Sequence, residues 1–113
     1  MATTLGRVCI VACALLLGIG LTGGVVTTPP DAGHGKQLAE RLCSNCHLVG
    51  DPHQTKALAD VPTFAEIASR ENRTAGDIMA RIMLPKHPMP QIPLQKSELA
   101  DLAAYILSLQ AER

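Results

Sequence analysis

Two cysteines and a histidine stand close together in the motif C-S-N-C-H, which runs from Cys43 to His47. This C-x-x-C-H spacing is the form in which haem c is covalently attached. Two thiols three positions apart can both reach one edge of a porphyrin and add to its two vinyl groups. His47 follows directly, so its imidazole falls beneath the ring and can bind the iron through one nitrogen. The motif therefore predicts covalent attachment of one haem c at Cys43 and Cys46, with His47 as an axial ligand of the iron.

Other uses of two thiols fit the same motif less well. A structural zinc site needs four ligands, and Cys43, Cys46 and His47 supply three. A thioredoxin-like redox dithiol belongs to a βαβ pattern, which this sequence lacks. A plain disulfide would leave His47 without a role.

A second axial ligand is expected in the proline-rich segment 85–93. Met89 lies between Pro88 and Pro90, which stiffen the loop and lower the entropy cost of holding a thioether near iron. We expect Met89 to be the ligand, with His87 as the alternative, which would give a bis-histidine iron of lower potential. Met79 and Met83 lie on a predicted helix and are interpreted as core residues.

The composition predicts a small domain whose core needs a filler. The chain has 113 residues, and Phe64 and Tyr105 are its only large aromatic rings, because Trp is absent. Aromatic side chains carry much of the burial in ordinary cores, so a bound macrocycle would supply what they do not. Ten basic and ten acidic residues give a formal net charge of zero, which argues against nucleic-acid binding.

The first residues have the order of a targeting segment. Arg7 precedes an uncharged apolar run that ends in small residues. We expect residues 1–24 to be a signal peptide, with an uncleaved membrane anchor through residues 8–26 as the alternative. Residues 25–32 form a predicted linker and 33–113 the folded domain. Either reading puts the domain outside the cytoplasm, in the periplasm.

The spacing of apolar residues predicts helices and no strands in the folded domain. The predicted helices cover residues 33–42, 63–69, 74–84 and 98–110. Thr63 and Thr74 are placed to cap the second and third helices, and Ser97 is the expected hydroxyl cap of the last, because Gln95 stands at the usual capping place. The sequence therefore predicts an all-α fold of three to five helices, with long loops beside the middle ones.

Taken together, the attachment motif after an N-terminal helix, the Met89 loop and a C-terminal helix reading E-L-A-D-L-A-A-Y-I-L-S-L resemble class I cytochrome c, the small monohaem bacterial type. The resemblance implies the cytochrome c fold wrapped around its haem. It also implies a close helix crossing at Gly35, with Tyr105 and Leu102 opposite. Pro62 matches the residue whose backbone carbonyl accepts the proton of the axial histidine.

The resemblance implies an electron carrier rather than an enzyme. A monomeric chain would shuttle single electrons between redox proteins, with His47 and Met89 as axial ligands. The same haem could instead belong to the electron-accepting subunit of a periplasmic dehydrogenase or reductase. An open-site haem sensor or peroxidase is a weaker alternative, because it needs a missing or labile sixth ligand.

Haem propionates need hydrogen-bond donors, and four basic residues are candidates on position alone. They are Arg73, Arg81, Lys56 and His53.

Overall fold

Four helices make up the described part of the chain. The structure is a computed structural model that describes residues 27–110, so the predicted signal segment 1–24 lies outside it. The helices are α1 (Ala32–Leu42), α2 (Phe64–Ala68), α3 (Ala75–Met83) and α4 (Lys96–Ser108). No strand occurs between residues 27 and 110, and the prediction of an all-α fold is confirmed.

Polar side chains fix where the first three helices begin. The Asp31 carboxylate accepts hydrogen bonds from the backbone N–H groups of Gly33 and His34, at 2.8 and 3.1 Å, so α1 starts one residue before the predicted boundary. Thr63 and Thr74 cap α2 and α3 as predicted, each with an acidic residue three positions on that bonds back to the cap.

The start of α4 differs from the prediction. The helix begins at Lys96, two residues earlier than expected, and Gln95 is the residue that precedes it. Glu98 accepts a hydrogen bond from the backbone N–H of Gln95 at 2.8 Å. The prediction that Ser97 caps this helix was wrong, because Ser97 lies inside its first turn, where the chain is already helical.

The core forms where α1, α2 and α3 pack on α4. The α4 helix buries five side chains, and those of Leu102 and Ala103 are almost completely inaccessible. From α3, Ile78 and Ile82 are buried against it. Met79 packs partly buried on this core as predicted. Met83 does not, because the last turn of α3 turns it outward and leaves it about half exposed.

The close approach of α1 to α4 depends on Gly35. A methyl group there would overlap the backbone carbonyl of Asp101 and lie 2.9 Å from Cβ of Tyr105. Such distances are not reached by real side chains, so only glycine lets the two helix backbones cross at this separation. Ala39, four residues on, is fully buried in the same interface, where its small size suits the narrow gap.

A polar contact closes the outer end of the same crossing. Nδ1 of His34 lies 2.7 Å from Oδ2 of Asp101, and the Asp101 carboxylate also accepts the backbone N–H of Asp31 at 2.7 Å. The bond from His34 is the main cause, and that from Asp31 the second, of a lowered pKa for Asp101. The carboxylate form therefore holds the start of α1 onto α4.

The helices of the described region are short. None of those between residues 27 and 110 combines the length and apolar character that a bilayer-spanning helix requires.

We predict that Gly35→Ala lowers the free energy of unfolding by about 3 kcal/mol, because the new methyl group meets backbone atoms that cannot move aside. Guanidinium chloride unfolding followed by circular dichroism measures this. Gly76→Ala is the matched control. Its methyl group would make only an ordinary contact of 3.7 Å with Thr74, so helix propensity should make it neutral or slightly stabilising. If both variants changed the free energy of unfolding equally, the close approach of α1 and α4 at Gly35 would be contradicted.

We predict that Asp101→Asn lowers stability at neutral pH and that this loss disappears in acid. The folded-state pKa of Asp101 lies below its ordinary value. Its contribution is therefore present above the unfolded-state pKa of about 3.9 and is lost as the pH falls through the folded-state pKa. Thermal unfolding between pH 7 and 2 measures it, with the exposed Glu71→Gln as control. If the melting temperatures of wild type and Asp101→Asn differed by the same amount at all pH values, the contact of Asp101 with His34 and Asp31 would be contradicted.

Candidate functional site

A cavity of about 450 Å³ lies inside the ring of helices and the loop 85–94. All four helices contribute to its wall, which is mainly apolar. The most buried of the side chains that line it are Phe64, Ile78, Ile82, Leu102 and Ile106. Its size and lining are typical of a site for a large, mostly apolar ligand.

The attachment segment, defined as residues 43–49, forms one side of this cavity. Cys43, Cys46 and His47 all line it. The segment leaves the end of α1 in a tight turn, because the Cys43 carbonyl accepts the backbone N–H of His47 at 2.9 Å and of Cys46 at 3.1 Å. This turn brings the two thiols and the imidazole to the same wall.

The histidine of the segment is oriented by a carbonyl from the following loop. Nδ1 of His47 lies 2.7 Å from the backbone oxygen of Pro62. A carbonyl can only accept, so Nδ1 carries the proton and Nε2 keeps its lone pair. Pro62 is held in place because Thr63, the next residue, caps α2. The imidazole is therefore in the tautomer that a metal ligand requires, and the bond raises its basicity.

The two large rings of the sequence both support this histidine. The Phe64 ring packs against His47 with 5.5 Å between ring centroids, and Tyr105 packs against Phe64 at 6.4 Å. The hydroxyl of Tyr105 donates to the backbone oxygen of Val49 at 2.6 Å, in a buried position. Because Tyr105 belongs to α4, this bond ties the attachment segment to the helix crossing at Gly35.

The proline-rich loop brings a thioether to the same cavity. Met89 lines it together with Pro88 and Pro90, whereas His87 is not part of the lining. The backbone N–H of Met89 bonds to the oxygen of Lys86 at 3.1 Å, which closes a turn just before it. Met79 and Met83 do not line the cavity either. Of the sulfur and imidazole candidates beyond the attachment segment, only Met89 reaches the site in the described part of the chain.

Basic side chains line part of the cavity wall. Of the four candidate donors, Arg73 and Arg81 belong to the lining, whereas Lys56 and His53 do not. Nε of Arg73 is buried and has no hydrogen-bond partner among the described residues. A buried N–H donor without an acceptor is costly, so this site is suited to a ligand that carries carboxylates.

The sequence analysis missed three residues of this site. Arg70 and Asp60 also line the cavity, and Gln54 bonds to the attachment segment. No local pattern points to them, because they lie outside or at the ends of helices, where spacing does not predict the direction of a side chain.

The raised pKa of the Cys43 thiol disfavours the redox-dithiol alternative. Burial first, and the neighbouring Cys46 second, raise the pKa of the Cys43 thiol to about 11. Redox-active dithiols need a lowered pKa, since the thiolate is the nucleophile. In addition, no group of three or more His, Cys, Asp or Glu side chains within residues 27–110 is arranged to hold a metal ion directly.

The residues around the cavity fit a covalently attached haem. Two thiols and a correctly protonated imidazole stand at one wall, a thioether lines the same space, and Arg73 presents a buried donor without an acceptor. The apolar remainder matches the faces of a porphyrin.

Comparison with known proteins points the same way. A family model described as cytochrome c matches residues 32–110. The chain is similar to cytochrome c-552 of Bradyrhizobium diazoefficiens, with 47% identity over 81 residues, which cover 71% of this chain and 76% of the relative. No solved structure gives a significant match.

We predict that Tyr105→Phe lowers the free energy of unfolding by about 1–3 kcal/mol, because the buried carbonyl of Val49 loses its donor while the ring packing stays. Denaturant unfolding of the purified protein measures the change. Ser97→Ala removes an exposed hydroxyl from the same helix and should change stability by no more than about 0.5 kcal/mol. Similar values for the two variants would contradict a structural role of the Tyr105 hydroxyl.

Proposed function

The chain belongs to the cytochrome c family, and from this premise we propose that His47 and Met89 are the axial ligands of its single haem and that its redox partners are periplasmic. The family carries haem c, covalently attached, and its members are electron carriers whose partners are redox proteins. The bound haem supplies a one-electron couple at its iron. The residues of this chain bind and orient that group and set its surroundings.

One observation carries the proposed ligation: Met89 and His47 line the same cavity, although they come from segments far apart in the sequence. The Nδ1 proton of His47 is engaged by Pro62, which directs the lone pair of Nε2 away from that bond. Met89 is partly buried against the core, next to prolines that restrict the loop. These features support a six-coordinate iron and disfavour an open-site sensor or peroxidase.

The apolar wall favours the less charged state of the iron. Ile78, Leu102 and Ile106 are almost fully buried and keep water from the interior. Thioether ligation and a low dielectric both stabilise ferrous iron, so we expect a positive reduction potential. The bond from His47 to Pro62 acts in the opposite direction, because a more basic imidazole stabilises ferric iron.

The proposed location rests on the first residues of the sequence. Residues 1–24 have the order of a secretory signal, and the alternative is an anchor through residues 8–26. Haem attachment would follow export, and the chain would act as a monomeric carrier without catalysis of its own. Association with a dehydrogenase or reductase as its electron-accepting subunit would use the same residues.

We predict that Met89→Ala removes the weak far-red ferric absorption band typical of methionine-ligated haem c and lets the ferrous protein bind CO. The wild-type protein, expressed with the haem maturation machinery and reduced with dithionite, should show a sharp α band that CO does not change. These changes follow because the thioether is the ligand that an exogenous molecule displaces.

Two variants serve as controls for this experiment. His87→Ala removes the alternative ligand, and Met83→Leu removes an exposed methionine that does not line the cavity. Both should keep the wild-type spectra. A wild-type spectrum in Met89→Ala, or loss of the band in His87→Ala, would refute methionine ligation. Wild-type protein without haem would refute the proposed function as a whole.

A further inference from the structure

The side chain of Gln54 makes three hydrogen bonds to the attachment segment. Its Nε2 group donates to the backbone oxygens of His47 and Ser44, at 2.5 and 2.8 Å, and its Oε1 accepts the backbone N–H of Val49 at 2.9 Å. A weaker contact of 3.2 Å joins Nε2 to the oxygen of Lys56. One amide thus engages both ends of the turn that carries Cys46 and His47.

The amide of Gln54 fits this place in one orientation only. Three backbone oxygens face its nitrogen, two of them from the attachment segment, and one backbone N–H faces its oxygen. Rotating the amide by half a turn would set oxygen against oxygen and nitrogen against N–H, which would break all three bonds. Glutamate could still accept from Val49 but could not donate, and an apolar side chain could do neither.

These bonds add to the pairing of the backbone in the attachment segment. Leu58 N–H donates to the Cys46 oxygen and Phe64 N–H to the Leu48 oxygen. Tyr105 donates to the Val49 oxygen. Gln54 takes the part-buried oxygens of residues 44 and 47. Because carbonyls shielded from water lose free energy when they are unpaired, removing the amide would let this turn rearrange.

His47 is therefore held at two points by different parts of the loop that follows it. Its backbone oxygen is fixed by Gln54 and its ring nitrogen by Pro62. The loop that supplies both partners is itself braced at its start, because the Gln54 N–H bonds to the Asp51 oxygen at 3.1 Å. A ring fixed at backbone and at Nδ1 has little freedom to tilt.

We propose that Gln54 is a positioning residue for the iron-binding histidine, which keeps the Nδ1 proton of His47 on the Pro62 carbonyl. This inference rests on the proposed function, because it treats His47 as an iron ligand. Without the Gln54 donors, the turn 44–47 loosens and the bond to Pro62 opens more often. The imidazole then becomes less basic, ferric iron is less stabilised, and the reduction potential rises.

The test compares the haem-bearing wild type with Gln54→Met, which keeps the length of the side chain and removes its donors and acceptor. Two quantities are measured: hydrogen exchange of the His47 Nδ1 proton by NMR, and the midpoint potential. We expect exchange to become about tenfold faster, the effect of weakening one hydrogen bond, and the potential to rise. Gln91→Met is the control, because the side chain of that exposed residue makes one weak bond, 3.5 Å long, among residues 27–110.

A second variant and a wild-type measurement keep the inference testable if Gln54→Met folds poorly. Gln54→Glu retains the acceptor for Val49 and should show the same faster exchange, since the donors are the groups that matter. In the wild type, the two Nε2 protons of Gln54 should exchange slowly, as expected for protons held by two part-buried carbonyls. Rapid exchange of these protons would overturn the inference even if neither variant matures.

The outcomes separate this inference from the proposed function. Haem-bearing Gln54→Met and Gln54→Glu proteins with the exchange rate and potential of the Gln91→Met control would overturn the role of Gln54 alone. A wild-type protein that carries no haem would overturn the proposed function and this inference with it.

Discussion

The crossing of α1 and α4 at Gly35 is the contact on which the rest of the structure depends. Because the two backbones approach closely, the end of α1 is placed beside the cavity wall that α4 provides. The attachment segment starts at that end, so the position of Cys43 follows from the crossing. Tyr105 belongs to both features, since its Cβ lies against Gly35 and its hydroxyl reaches Val49. A single helix pair thus determines where the thiols and the imidazole lie.

The attachment segment is held by hydrogen bonds as well as by packing against the core. It follows a helix but is not itself helical, so its carbonyls need partners from elsewhere. Backbone groups, the Gln54 amide and the Tyr105 hydroxyl supply them. Such an arrangement restrains the imidazole of His47 and leaves the interior open for a large planar group. Rigid ligands in turn keep reorganisation small, as electron transfer requires.

The scarcity of aromatic rings and the presence of the cavity follow from one constraint, the small size of the chain. Phe64 packs beside His47 and Tyr105 beside Phe64, with the rings tilted, and aliphatic residues of α3 and α4 line the cavity. The chain is too small to fill this centre with its own side chains, and it gains core volume from a bound macrocycle instead. The buried Nε–H of Arg73 also fits a bound ligand, because it needs an acceptor that the described residues do not provide.

The sequence alone determined the chemistry and the helical pattern. The spacing of Cys43, Cys46 and His47 indicated haem attachment, and apolar periodicity located four helices to within one or two residues, because both depend on neighbours along the chain. Prediction from the sequence failed where the deciding contact was remote or the local geometry was ambiguous. Ser97, Met83 and the basic residues are examples. Only the tertiary structure decided that Met89 and not His87 reaches the cavity, that Arg73 lines it whereas Lys56 does not, and that Gln54 secures the turn of His47. These outcomes depend on how loops fold back on helices, and no spacing in the sequence encodes the direction in which a loop side chain points.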